Sequence, residues 1–89
     1  MMTEAERAHL KAEIDGADAE GRAAILARLR AAEWALHDAF MATPVGETSP
    51  ADLDAADDAV CDAEDRTRYA RACADQAAER ERVAAGVRA

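Results

Sequence analysis

Aromatic side chains are almost missing from this chain: it has one Trp, one Tyr and one Phe in 89 residues. Leu, Ile, Val and Phe together number only 12. A core of many large side chains is therefore excluded, and one domain is the ceiling at this length. Basic charge is scarce as well, with 11 Lys and Arg against 19 Asp and Glu and a formal net charge of −8. Neutralising phosphates takes Lys and Arg, so this balance argues against direct nucleic-acid binding. No run of about 18 apolar residues occurs, so no membrane span is expected. The opening MMTEAERAHL lacks the basic and apolar regions of a secretory signal, and the expectation is a cytoplasmic protein. Serine is reduced to Ser49, which is committed as a helix cap. No G-x-S-x-G, C-x-x-C or Gly-rich phosphate loop is present, so neither an enzyme nor a bound cofactor is expected.

Alanine fills the space that the others leave, with 26 residues. It is the best helix former, closely followed by the Glu, Arg and Leu that surround it. Few large apolar residues under high net charge can signal disorder. Helix propensity summed over long windows outweighs that signal here. Arg exceeds Lys ten to one and Asn is absent, a usage that fits a GC-rich bacterial or phage genome. The expected fold is all-α: a single domain over residues 1–89, an antiparallel hairpin of two long helices preceded by a short one.

Helix 1 is expected over about 3–15, opened by a Thr3/Glu6 capping box, with Leu10 and Ile14 on one face. Gly16, Gly21, Asp15 and Asp18 weaken the helix and predict a break around 15–19. Helix 2 is expected over about 19–42, with Ile25, Leu29, Ala32, Leu36 and Phe40 on one stripe and Leu26 beside it. Thr43-Pro44 ends it, and the short loop 43–49 folds helix 3 back as a hairpin. Helix 3 is expected over about 50–86, with Ser49 as N-cap and Pro50 at its first position. Ala56, Ala63, Ala70, Ala77 and Ala84 share one heptad position, and Leu53, Val60, Thr67, Ala74 and Glu81 its companion. This Ala-rich seam allows close helix approach and fades toward the C-terminus. The Ala run at 23, 27, 31 and 35 is a candidate matching face on helix 2. A lone hairpin of this kind buries little, so a homodimer completing a four-helix-type bundle is expected.

Metal chemistry finds little support. Glu6-x-x-His9 has the spacing of a di-iron bundle ligand pair, but His37 has Glu33 four residues before it, which breaks the repeat. Cys61 and Cys73 lie 12 residues apart on one expected helix, about 18 Å along its axis. That is too far for an intrachain disulfide.

Charge is unevenly spread. Residues 47–65 hold eight acidic groups and no basic one, whereas residues 66–89 hold six basic and three acidic. This order suits the macrodipole of helix 3, which gives it a structural reason. Asp54, Asp58 and Asp62 follow at i, i+4 and i+8, with Asp65 one turn on. They form an acidic stripe opposite the seam, at a spacing of about 6 Å that resembles a phosphate track. Trp34 and Met41 lie opposite the apolar stripe of helix 2, and Trp is a frequent interface anchor. Tyr69 lies beside the acidic stripe. The candidate partner-binding residues are therefore Asp54, Asp58, Asp62, Asp65, Tyr69, Trp34 and Met41. The expected function is non-enzymatic: an acidic inhibitor or adaptor that binds a basic protein, with imitation of nucleic-acid charge as one form of that activity. A phage-type inhibitor of bacterial defence is one such class, by analogy of size and charge alone. The alternative is a self-assembling structural or scaffold bundle.

Overall fold

The computed structural model describes residues 2–88, with side chains to residue 86. It is an all-α hairpin of α1 (Glu4–Asp15), α2 (Ala19–Met41) and α3 (Pro50–Arg88), with a 3₁₀ turn at Val45–Glu47 between the last two. No strand occurs among the described residues. Arg22, near the start of α2, meets Glu81, near the end of α3, so these two helices run antiparallel. Glu6 meets Arg66 and Asp15 meets Arg80, so α1 runs parallel to α3. The Cα envelope is a thin rod of 62 × 23 × 14 Å.

The helix starts follow from their caps. Thr3 Oγ1 accepts from the Glu6 amide at 3.1 Å, Asp18 from Gly21 at 2.7 Å, and Ser49 from Asp52 at 3.2 Å. The Thr3/Glu6 box is closed on one side only. The Glu6 carboxylate takes the Thr3 hydroxyl and the Arg66 guanidinium instead of an orphan amide. A charged donor from another helix outcompetes a neutral amide for that carboxylate. The break expected around 15–19 is the turn from Gly16, the C-cap of α1, to Asp18, the N-cap of α2. The approach here is tight: a Cβ on Gly21 would lie 3.1 Å from the Ala17 Cβ. At the other end α3 continues to Arg88, two residues beyond the expected end at 86. Gly86 is exposed and no Pro follows it, so nothing forces the helix to stop; Gly costs only about 1 kcal/mol relative to Ala.

The core sits where α1 covers the hairpin, at the level of Ala70 to Ala74 near the middle of α3. Met2, Leu10, Ile14, Ile25, Ala70, Cys73 and Ala74 form its buried cluster, and Ile14 is 0% exposed. Leu26, Leu29, Ala17 and Tyr69 pack against it. The heptad seam of α3 is largely internal, with Val60, Ala63, Ala70, Ala74 and Ala77 buried.

Two expectations about α2 need correction. Its apolar stripe faces the core only at Ile25 and Leu29; Ala32 is exposed, and so is Leu36. That stripe points to the side that α1 covers, and α1 begins beside Arg66, short of Leu36. Beyond Leu29 the half-buried positions are Glu33, His37 and Phe40. The Ala run at 23, 27, 31 and 35 does not meet the seam either. All four are exposed, and Ala23, Ala27 and Ala31 line an open groove.

Candidate functional site

The far end of the rod is built from the second half of α2, the 3₁₀ turn and the first half of α3. Residues 31–65 carry ten acidic groups and no Lys or Arg. Helical propensity makes both arms rigid, and the Thr43-Pro44 break brings them back together. Thr43 and Thr48 hold the connection by donating to Ala39 O at 2.9 Å and Pro44 O at 2.8 Å.

The acidic stripe is not uniform. Asp54 and Asp58 are exposed, as is Asp57. Asp65 is half-buried and accepts from Arg68 at 3.3 Å, an i,i+3 pair. Asp62 is half-buried and engaged in an interaction of its own. The outward, solvent-facing part of the stripe is thus Asp54 and Asp58. Met41 (69% exposed) and Val45 (73%) stand exposed at the same end, with Leu36 nearby. Cys61 reports the local field. Burial first, then the charges of Asp57, Glu64, Asp58 and Asp65, push its thiol above the ordinary range.

Tyr69 is placed elsewhere. It is half-buried against the core cluster, with the Arg7 guanidinium 6.0 Å from its ring centroid. Burial, then a hydrogen bond with Cys73, raises its phenol. It therefore belongs to the contact between α1 and α3, separate from Trp34 and Met41.

Trp34 is 60% exposed and meets His37 edge-on, with ring centroids 5.8 Å apart. It lines an open groove between α2 and α3 with Arg30, Glu33, Glu64, Thr67, Arg68 and Arg71. α1 lies on the other broad face of the hairpin, so it leaves Trp34 uncovered. No described residue forms an ion pair with Arg30 or Arg71. His37 Nδ1 is buried without a hydrogen-bond partner.

The core end is held by charge pairs that sequence reasoning missed. Arg22 is only 5% exposed. Its guanidinium donates to both oxygens of Glu81, at 2.7 and 2.8 Å, and to Ala17 O at 3.0 Å. A signal for this pair existed: Glu81 occupies the companion heptad position of the seam, where a carboxylate needs a cation at the same level. Hydrogen bonding to Arg22 is the main cause that lowers the Glu81 carboxyl. Arg66 does the same for Glu6, and Lys11 followed by Arg80 for Asp15.

Both cysteines are free, Cys61 exposed and Cys73 buried. Among the described residues no group of three His, Cys, Asp or Glu is placed to hold a metal, and no helix is long and apolar enough to cross a membrane. Comparison with protein-family models, curated proteins and solved structures finds no match.

Proposed function

We propose that the chain is a non-enzymatic, cytoplasmic binding protein whose acidic far end docks on a basic surface of another protein. One observation carries this reading: the end that exposes Asp54, Asp57 and Asp58 also exposes Met41, Val45 and Leu36. Acidic charge steers encounter with a basic partner, and apolar side chains supply the short-range contact. Asp54 and Asp58, about 6 Å apart along the helix, support charge imitation of nucleic acid as a form of the same activity. An inhibitor that occupies a nucleic-acid groove on its target is the most specific version.

The test uses the full chain as bait beside an Asp54→Asn/Asp58→Asn/Met41→Ser variant. These residues are exposed, so the variant should keep its helicity by circular dichroism. The expected result is a basic protein retained by wild type, released by salt and lost by the variant. Equal capture by both baits, or capture insensitive to salt, would overturn the reading.

A further inference from the structure

The connection between α1 and α2 is short, and the helical path is interrupted at its last residue, Asp18. Gly16 is still right-handed helical, at φ −84° and ψ −5°, and the Ala17 amide donates to Ile14 O at 3.1 Å. Asp18 is extended, with ψ −178°, and its side chain accepts from the Gly21 amide at 2.7 Å. The turn also depends on Gly21 having no side chain: a Cβ there would lie 3.1 Å from the Ala17 Cβ and 3.2 Å from Asp18 Oδ1. In an unbroken helix that crowding does not arise, because Cβ atoms four residues apart stand about 5–6 Å from each other. Ile14 and Ile25 are three helical turns apart. A continuous helix would therefore carry Leu10, Ile14, Ile25 and Leu29 on one apolar stripe.

What α1 brings to the hairpin is a fixed set of contacts. Leu10 and Ile14 enter the buried cluster with Ile25, Ala70, Cys73 and Ala74. Glu6, Glu13 and Asp15 meet Arg66, Arg28 and Arg80 at 2.9, 3.0 and 2.9 Å. All of these lie between α1 and the hairpin, outside the connection, so they are the same whichever chain supplies α1. We infer that α1 is exchangeable: the hairpin face beneath it takes α1 of a second copy when α1 and α2 join into one helix across residues 16–18. The fit names the occupant. This face complements Leu10, Ile14 and three carboxylates in one register, and a second copy brings that set. Exchange of an identical element keeps these contacts and changes only the connection. Gly16 and Gly21 weaken a continuous helix, and the Asp18 cap starts a new one. Those three residues set the balance between monomer and exchanged dimer. The exchange is independent of partner docking at the far end, because α1 occupies the same face in both forms and leaves Asp54, Asp58 and Met41 uncovered.

Sedimentation equilibrium over a wide concentration range tests this, with helicity followed by circular dichroism. The probe is the full chain beside an Asp18→Ala/Gly21→Ala variant, which loses the cap, crowds the closed turn and favours the continuous helix. Its dimer dissociation constant should be at least about tenfold below that of the wild type. Exchange itself is read in the same background by mixing two chains, one with Glu6→Arg/Asp15→Arg and one with Arg66→Glu/Arg80→Glu. Each alone sets like charges across the contact of α1 with α3, within a chain or in its own exchanged dimer. An exchanged heterodimer restores opposite charges at all four pairs. Equimolar mixing should therefore yield a heterodimer with a melting midpoint above that of either chain, whether or not the separate chains are folded. An Asp18→Ala/Gly21→Ala variant that stays monomeric at every concentration would overturn the proposal. So would mixing that yields no heterodimer, which would assign any dimer to a different face.

Discussion

The two ends of this rod are built on opposite terms. The core end has three helices, buried Ile14 and Ile25, and charge pairs that cross between helices: Arg22–Glu81, Glu6–Arg66, Asp15–Arg80 and Glu13–Arg28. The far end has two helices, and residues 31–65 carry ten acidic groups and no Lys or Arg of their own. Its packing rests on half-buried Leu53, Ala56, Ala59 and Phe40 with buried Val60 and Ala63. One end invests its charges in holding helices together; the other leaves Asp54, Asp57 and Asp58 exposed to solvent. Like charges along one helix cost stability, and the far end bears that cost on a thin core. Regions of low local stability are where binding surfaces are commonly found, which fits the division of roles proposed here.

The comparison breaks most decisively at Ile14. Ile14→Ala should cost about 2–4 kcal/mol in urea denaturation, the range for a buried large-to-small change. Leu53→Ala at the far end, where the side chain is half-buried, should cost less than half of that. Equal losses would show the two ends to be one cooperative unit with no weak half.

Acid should loosen the core end. The folded carboxyls of Glu6, Asp15 and Glu81 are depressed by their Arg and Lys partners. Their contribution is fully present above the ordinary carboxylate range, about 4 to 4.5, and is lost as pH falls through the lowered folded values. Between pH 5 and 3, by amide hydrogen exchange, the core end should lose protection relative to the far end. Glu81→Gln should lower the melting midpoint at neutral pH and flatten its fall in acid. A midpoint unchanged at neutral pH would mean that Arg22 is satisfied by Ala17 O alone.

The two thiols give a direct readout of the same division. Cys73 is buried in the core cluster and should react only when that end opens, so Ile14→Ala should expose it. Cys61 is exposed at the far end, but its raised thiol should make alkylation slow at neutral pH. Salt or Asp58→Asn should speed it. A rate independent of salt would show burial alone to be the cause.

The smallest effect expected is on stability at the acidic stripe. Asp58→Asn removes a like-charge i,i+4 neighbour of Asp54 and should stabilise the chain by about 0.2–0.5 kcal/mol. The gain should vanish in high salt, which screens exposed charges.

Local chemistry was enough to write most of the secondary structure. Thr3, Ser49 and Pro50 mark helix starts because caps act within one turn, and Thr43-Pro44 marks an end because Pro restricts the residue before it. The 3.5-residue period of Ala63, Ala70 and Ala77 made the inner face of α3 legible, since a heptad defines a face whatever packs on it. Charge segregation was equally open to reading, as it is a property of sequence order. What packs on a face is decided at longer range. Only the placement of α1 settled that Tyr69 is half-buried, that Leu36 and Trp34 stand outside, and that the Ala run of α2 lines a groove. The Arg22–Glu81 pair spans 59 residues, and no local rule ties two positions so far apart. Sequence by itself determined where the helices begin and which face of α3 turns inward, because caps and the heptad period are short-range features. The tertiary structure decided which faces are used up, because burial is a competition among surfaces for a single helix, α1, that covers one face of one end.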